Sequence, residues 1–123
     1  MSNNMITDHD VRISISAEVP AIARELQLID DRSEIFKSIS CLAAHTKDML
    51  AGHRTDEVLR CFRAAHGLLA EGSQAVRFAV INLYIDPVSR LLEHSFSPTP
   101  EVRTEFIRDF GAEYYQLLYA KTV

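Results

Sequence analysis

The sequence predicts an all-α protein, a single-domain helical bundle of four main helices plus one short helix. Apolar residues recur at helical spacing in four long stretches. Residues that favour helix ends separate these stretches, among them Ser33, Gly72, Ser73 and Thr99. The chain has 123 residues, of which 47% are apolar and 24% are charged, and this composition suits one compact domain with its own core.

The N-terminal segment is the exception to the helical pattern. In HDVRISIS, residues 9–16, the apolar Val11, Ile13 and Ile15 alternate with polar residues, which is the period of a strand. No second stretch offers a partner, and an isolated strand is not stable. Residues 1–15 are therefore predicted to be an extended or flexible arm, and 16–123 a single helical domain. Pairing of the arm with another chain by β-augmentation is the alternative.

The first two helices are predicted from apolar faces and end signals. Residues 17–29 carry one apolar face, and Pro20 fits only in the first turn. Ser33 is a suitable N-cap for the second helix, and Gly52 is a plausible stop. Its stripe consists of Ile35, Phe36, Ile39, Leu42, Ala43, Met49 and Leu50.

The remaining helices follow the same logic. The third is predicted from Thr55 to the C-terminal signal Gly72, and Ser73 caps the fourth. Pro87 bars a regular continuation of the fourth helix, so a short piece over 88–96 is expected after a kink. Thr99 caps a final helix that runs to about residue 120.

The fourth helix, VRFAVINLYI over 76–85, is apolar almost all round. A helical wheel places Phe78, Ile81 and Ile85 nearly opposite the face that contains Val80 and Leu83. A helix of this kind is buried on more than one side, so it is predicted to be the central helix. Leu83 or Phe78 is then expected to be a stability hot spot, at roughly 2–5 kcal/mol per change to alanine.

A family resemblance rests on the same region. The segment LRCFRAAHGLLAEGSQAVRFAVINLY, residues 59–84, resembles a helix–turn–helix unit of the HEAT-type helical repeats, with Glu71 and Gly72 before the second helix. It is also similar to small uncharacterised bacterial all-helical proteins. The resemblance implies HEAT-like hairpins and a binding scaffold, and it carries over no catalytic residue.

Recognised catalytic and metal-binding motifs do not occur in the sequence. The five histidines and two cysteines match no standard zinc or di-iron spacing, and the four glycines form no phosphate-binding loop. No catalytic residue, metal or cofactor is therefore expected, and a non-enzyme is favoured. Cys61 is predicted to be a small buried hydrophobe and Cys41 an ordinary thiol.

Charge and hydropathy narrow the partners and the compartment. The net charge is −4 and the basic residues are scattered, which disfavours nucleic-acid binding. No stretch suits a membrane span or a signal peptide, so neither a membrane nor export is expected. A reduced, cytoplasmic setting is the default for the two cysteines.

Two candidate sites remain. Arg108, Tyr115 and Tyr119 share a face of the last helix. Because arginine and tyrosine are enriched at protein interfaces, this face predicts a partner site or a dimer contact. A widened core and a frayed terminus would explain the tyrosines equally well. The favoured function is a non-enzymatic adaptor, like immunity proteins or secretion chaperones. The alternative is a small-molecule sensor whose pocket is lined by His66, Asn82 and Tyr84, although Asn82 and His66 also suit satisfied polar core positions. An enzyme with a dispersed site is the third class.

Overall fold

The computed structural model describes residues 5–95 and 98–122, and the regular elements in these two ranges are all helical. The predicted all-α class is confirmed. The part of the short helix expected at residue 96 lies outside the described residues. The α-helices are α1 Val11–Glu18, α2 Ala23–Gln27, α3 Glu34–Ala51, α4 Thr55–Glu71, α5 Gln74–Val80, α6 Asp86–Arg90 and α7 Pro100–Thr122.

The helix at the centre of the fold is α4. The sequence predicted that the following helix, over 76–85, would be central instead. α4 packs against α1, α3, α5 and α7. Its buried side chains cover a continuous arc of about 160° around the helix, at about 100° per residue. They are Val58, Cys61, Phe62, Ala64, Ala65, Leu68 and Leu69.

Residues 11–15 of the N-terminal segment are helical, so the prediction of an extended arm is wrong for these residues. These residues form the start of α1, with Val11 and Ile15 in the core and Ile13 70% exposed. Ile13 therefore faces solvent, while Val11 and Ile15, which are four residues apart, share one face of the helix. The Arg12 side chain donates to the Ile29 carbonyl at 2.8 Å and pairs with buried Glu34 at 3.3 Å, which joins α1 to α3.

An extended stretch does precede α1, and it is bound to the turn between α4 and α5. Ile6 donates to the Glu71 carbonyl at 2.7 Å and accepts from the Ser73 amide at 2.9 Å. Gly72, between them, has φ −78° and ψ 160°, so it is not a left-handed C-terminal glycine. A Cβ there would lie 2.3 Å from the Leu68 carbonyl oxygen, and close approach is what requires glycine.

Proline explains the next two departures from the prediction. The helix expected over 17–29 is divided at Val19, which has φ −128° and ψ 73°, and a 3₁₀ turn, Pro20–Ile22, leads into α2. Pro87 does not stop the fourth helix. The chain continues through α5, a π-helical segment Ile81–Ile85, α6 and a second π-helical segment Leu91–Ser95; we call this continuous stretch the π rod.

The π rod accommodates Pro87 because its backbone changes hydrogen-bond register just before the proline. The amide of Asp86 donates to the carbonyl of Ile81, five residues back, where a regular α-helix would use the residue four back. The wider turn relieves the clash that proline makes with the carbonyl four residues before it.

Buried residues of the π rod recur every four residues, at Val76, Val80, Tyr84, Val88 and Leu92. A regular helix advances about 100° per residue, so this repeat would drift by about 160° between its first and last members. Wider π turns keep all five on one face.

On the opposite face of the π rod, Ile85 is buried and Ile81 packs against the core, so the prediction of burial on several sides is wrong only at Phe78 and Asn82. Phe78 is 69% exposed, and Asn82 is exposed and donates to the Phe78 carbonyl at 2.8 Å. Leu83 is half-buried. Phe78 is therefore not a stability hot spot. The predicted N-caps of α5 and α7 are confirmed, since Ser73 and Thr99 each accept from a backbone amide at 3.3 Å.

Candidate functional site

The predicted pocket of His66, Asn82 and Tyr84 does not form. Tyr84 lies wholly in the core, and its hydroxyl is 2.8 Å from Thr46 Oγ1. Asn82 is on the exposed face of the π rod, and His66 is exposed on α4. The three side chains therefore face three different environments.

Tyr84 belongs to a buried polar cluster between α3, α4 and the π rod. The Thr46 hydroxyl donates to the Leu42 carbonyl at 2.9 Å, so the Tyr84 hydroxyl is the donor to Thr46 Oγ1. The Cys61 thiol is buried as well, and Thr46 opposes the rise in its pKa that burial causes. Burial raises the pKa of Tyr84 well above its usual value and that of Cys61 to about 11, so both groups stay protonated at neutral pH.

The face predicted from Arg108, Tyr115 and Tyr119 exists as a surface of α7. Tyr115 is 58% exposed and Tyr119 73%, and the Arg108 side chain is also largely exposed. The spacings of seven and four place all three on one side of the helix. We call these three residues the aromatic face.

The inward side of the same part of α7 is only partly covered. Tyr114 is half-buried, and its hydroxyl donates to Glu93 at the end of the π rod. Burial, followed by this hydrogen bond, raises the pKa of Tyr114 to about 12. Leu117 and Leu118 are half-buried as well, whereas Phe106 and Phe110, three and two turns earlier, are in the core. Packing of α7 thus weakens towards its C-terminal end, where the tyrosines are.

A cleft of about 390 Å³ brings together Arg108 and His66, which the sequence had assigned to different candidate sites. Its walls are the end of α1, the middle of α4 and the first half of α7. We call it the charged cleft, because its lining includes both acidic and basic side chains. The lining residues are Glu18, Leu59, Arg63, His66, Gly67, Glu105, Arg108 and Asp109.

Ion pairs in the charged cleft are mostly exposed. Arg63 Nε lies 3.6 Å from Glu18 Oε2, and Arg108 pairs with Glu105 on its own helix. Asp109 is the exception, with its side chain only 15% exposed. Burial raises the pKa of Asp109, and His66 opposes that shift. Sequence reasoning missed Asp109 and Gly67, since nothing in the local pattern shows that α4 and α7 meet there.

Metal and membrane signatures are not found in the described ranges. Residues 5–95 and 98–122 contain no group of three or more histidine, cysteine or acidic side chains able to hold a metal ion. Within the same ranges, no helix combines the length and the apolar character that crossing a membrane requires. Cys41 and Cys61 are free thiols.

Comparison with known proteins gives one match. The family model described as a domain of unknown function (DUF7674) matches residues 13–122. No curated protein and no solved structure matches the chain. The HEAT-type resemblance of residues 59–84 stays a prediction.

Proposed function

We propose that this chain, which belongs to the DUF7674 family of domains of unknown function, is a non-enzymatic protein-binding module. The class we have in mind is that of small bacterial adaptors, such as immunity proteins and secretion chaperones. Its free thiols and acidic composition support a reduced, cytoplasmic setting. The contact surface is the aromatic face of α7.

The observation that carries the proposal is the exposure of two tyrosine rings on one side of a helix. Tyr115 and Tyr119 are both more than half exposed, and Arg108 continues the same side by two turns. A tyrosine buries roughly 150–250 Å² when it is fully covered. At about 25 cal/mol per Å², covering the exposed part of each ring contributes on the order of 2–5 kcal/mol to binding. Two such rings are enough for the central part of an interface.

The chemistry of the other candidate residues supports a binding role over catalysis. A catalytic cysteine needs a stabilised thiolate, yet burial raises the pKa of Cys61 to about 11, and burial together with Glu25 raises the pKa of Cys41. Tyr84 is sealed in the core. His66, Asn82 and Tyr84 do not form the pocket that the alternative function, a small-molecule sensor, would need.

The test compares the aromatic face with a matched exposed aromatic elsewhere. Self-association is measured by light scattering over a wide concentration range, and partner capture by affinity purification. We expect Tyr115→Ala and Tyr119→Ala each to weaken the association at least tenfold, which corresponds to about 1.4 kcal/mol. Phe78→Ala, which removes a comparably exposed ring from α5, is expected to leave it unchanged.

Two results would contradict the proposal. The first is a wild-type protein that stays monomeric and captures no partner. The second is an association that Phe78→Ala weakens as much as the tyrosine variants do, because the contact would then not be specific to α7. Thermal unfolding of each variant shows whether a loss of association reflects a loss of fold.

A further inference from the structure

The charged cleft has properties that the protein-binding proposal does not use. Its volume of about 390 Å³ falls within the range of about 300–1,000 Å³ that is usual for small-ligand sites. Three separate helices supply its lining, so its shape depends on the packed core and not on a single loop.

Gly67 leaves room in the cleft that no side chain of the chain fills. It lies in the interior of α4, where glycine costs roughly 0.5–1 kcal/mol relative to alanine. A Cβ built there would have no heavy atom within 4 Å, so packing does not require the glycine. Leu59, two turns earlier on the same helix, also lines the cleft; it is half-buried and offers an apolar wall for an aliphatic group.

Asp109 supplies an acceptor that lacks a donor. Among the described residues, no group donates a hydrogen bond to its carboxylate, and the Nε of Arg108 is 3.9 Å from Oδ1, beyond hydrogen-bonding distance. Its side chain is largely removed from water, and its ion pair with Arg108 is too long to replace the lost hydration with a hydrogen bond. Burial accordingly raises its pKa. A donor with a positive charge would offset the lost hydration.

The balance of charge selects the sign of the ligand. Three carboxylates line the cleft against two guanidinium groups and the imidazole of His66. Each guanidinium already has a carboxylate of its own, Glu18 for Arg63 and Glu105 for Arg108. An anion would have to break these pairs and approach Asp109. A cation would meet an acceptor that is still available.

We propose that the charged cleft binds a cationic group on an aliphatic stem, a primary ammonium or a guanidinium, with Asp109 as the acceptor and the space beside Gly67 and Leu59 holding the stem. This site is independent of the aromatic face and does not require the protein-binding proposal. The cationic group has two sources, a free amine or the lysine or arginine side chain of a protein.

The experiment titrates the whole chain with defined probes while amide chemical shifts and heats of binding are recorded. 1,5-Diaminopentane and agmatine represent free amines, and Nα-acetyl-lysine amide and Nα-acetyl-arginine amide represent protein side chains. Glutarate and 1,5-pentanediol are the anionic and neutral controls. We expect saturable shifts at the Gly67 and Asp109 amides with a cationic probe. The set of cationic probes that binds more tightly identifies the source.

Variants test whether the binding depends on the cleft. Asp109→Asn should weaken binding of the cationic probe at least tenfold, whereas Asp48→Asn, the same charge change at an exposed position of α3, should change it less than twofold. Gly67→Leu should abolish binding by filling the free volume, and its thermal unfolding confirms that it folds. Equal or tighter binding of glutarate or pentanediol, no saturable binding of any cationic probe at 10 mM (about the weakest affinity of interest, 2.7 kcal/mol), or equal losses in Asp109→Asn and Asp48→Asn would overturn the proposal.

Discussion

The hydrogen bond between Thr46 and Tyr84 allows a prediction whose size follows from the geometry. The Tyr84 hydroxyl donates to Thr46 Oγ1, and the threonine hydroxyl donates to the Leu42 carbonyl, all in a fully buried part of the core. Tyr84→Phe removes one donor and leaves Thr46 bonded to its own helix. We expect it to lower the free energy of unfolding by about 1 kcal/mol.

Thr46→Val is expected to cost more than Tyr84→Phe. It keeps the shape of the side chain but leaves the Tyr84 hydroxyl buried without an acceptor, for which the penalty is about 1–3 kcal/mol. In the double variant, both positions are apolar and no hydroxyl is left unpaired. The double variant should therefore be no less stable than Thr46→Val alone, with a coupling of about 1–2 kcal/mol between the two sites.

Equilibrium urea unfolding of the four proteins measures this coupling, and thermal unfolding provides a check. For a chain of this length, 1 kcal/mol corresponds to a change in Tm of about 4 °C. Additivity of the two substitutions within about 0.5 kcal/mol would refute the reasoning, because independent sites add within that margin. It would mean that Tyr84 and Thr46 do not depend on each other in the folded protein.

Three further predictions concern single residues. Gly72→Ala should destabilise the protein by about 1–3 kcal/mol in urea unfolding, since its Cβ would overlap the Leu68 carbonyl oxygen; an unchanged midpoint would contradict the close approach. Phe110→Ala should cost about 3–5 kcal/mol and Phe78→Ala less than about 0.5 kcal/mol, because only the first ring is buried; similar losses in the two variants would mean that Phe78 is covered. Asp109→Asn should raise stability at pH 7, because a raised pKa in the folded state means that folding disfavours the ionised carboxyl. That gain should shrink as the pH falls through the pKa of Asp109 and the wild-type carboxyl becomes neutral, and a gain that grows towards acid pH would refute the assignment.

The parts of the fold that the sequence predicts are those with local causes. Ser73 and Thr99 cap their helices through bonds to amides three residues ahead, and such bonds can be read from a few neighbouring residues. The limits of α3 and α4 do not have this cause, because Ser33 makes no side-chain capping bond and Gly72 is extended. Apolar content alone does not show which side of a helix is covered. Phe78 was therefore predicted to be buried and Ile13 to belong to an extended arm, although both are exposed on helices.

The candidate sites were predictable only where a single helix carries them. Arg108, Tyr115 and Tyr119 share a face because of helical spacing, which the sequence shows directly. The charged cleft depends on the packing of α4 against α7, so the meeting of His66 and Arg108 is encoded by the core between them. Phe62, Phe106 and Phe110 form that core, with ring centroids 5.2–5.8 Å apart.

The change of hydrogen-bond register ahead of Pro87 has a consequence for how the π rod tolerates change. Val88 and Leu92 reach the interior because the turns before them are underwound, so their burial depends on the proline as much as on their own apolar character. A residue that restored regular winding at that position would rotate both side chains about the rod axis relative to Val76 and Val80, although it improves local helix formation. Pro87 and the wider turn before it thus help to set the rotation, about the helix axis, of the residues that follow in the rod.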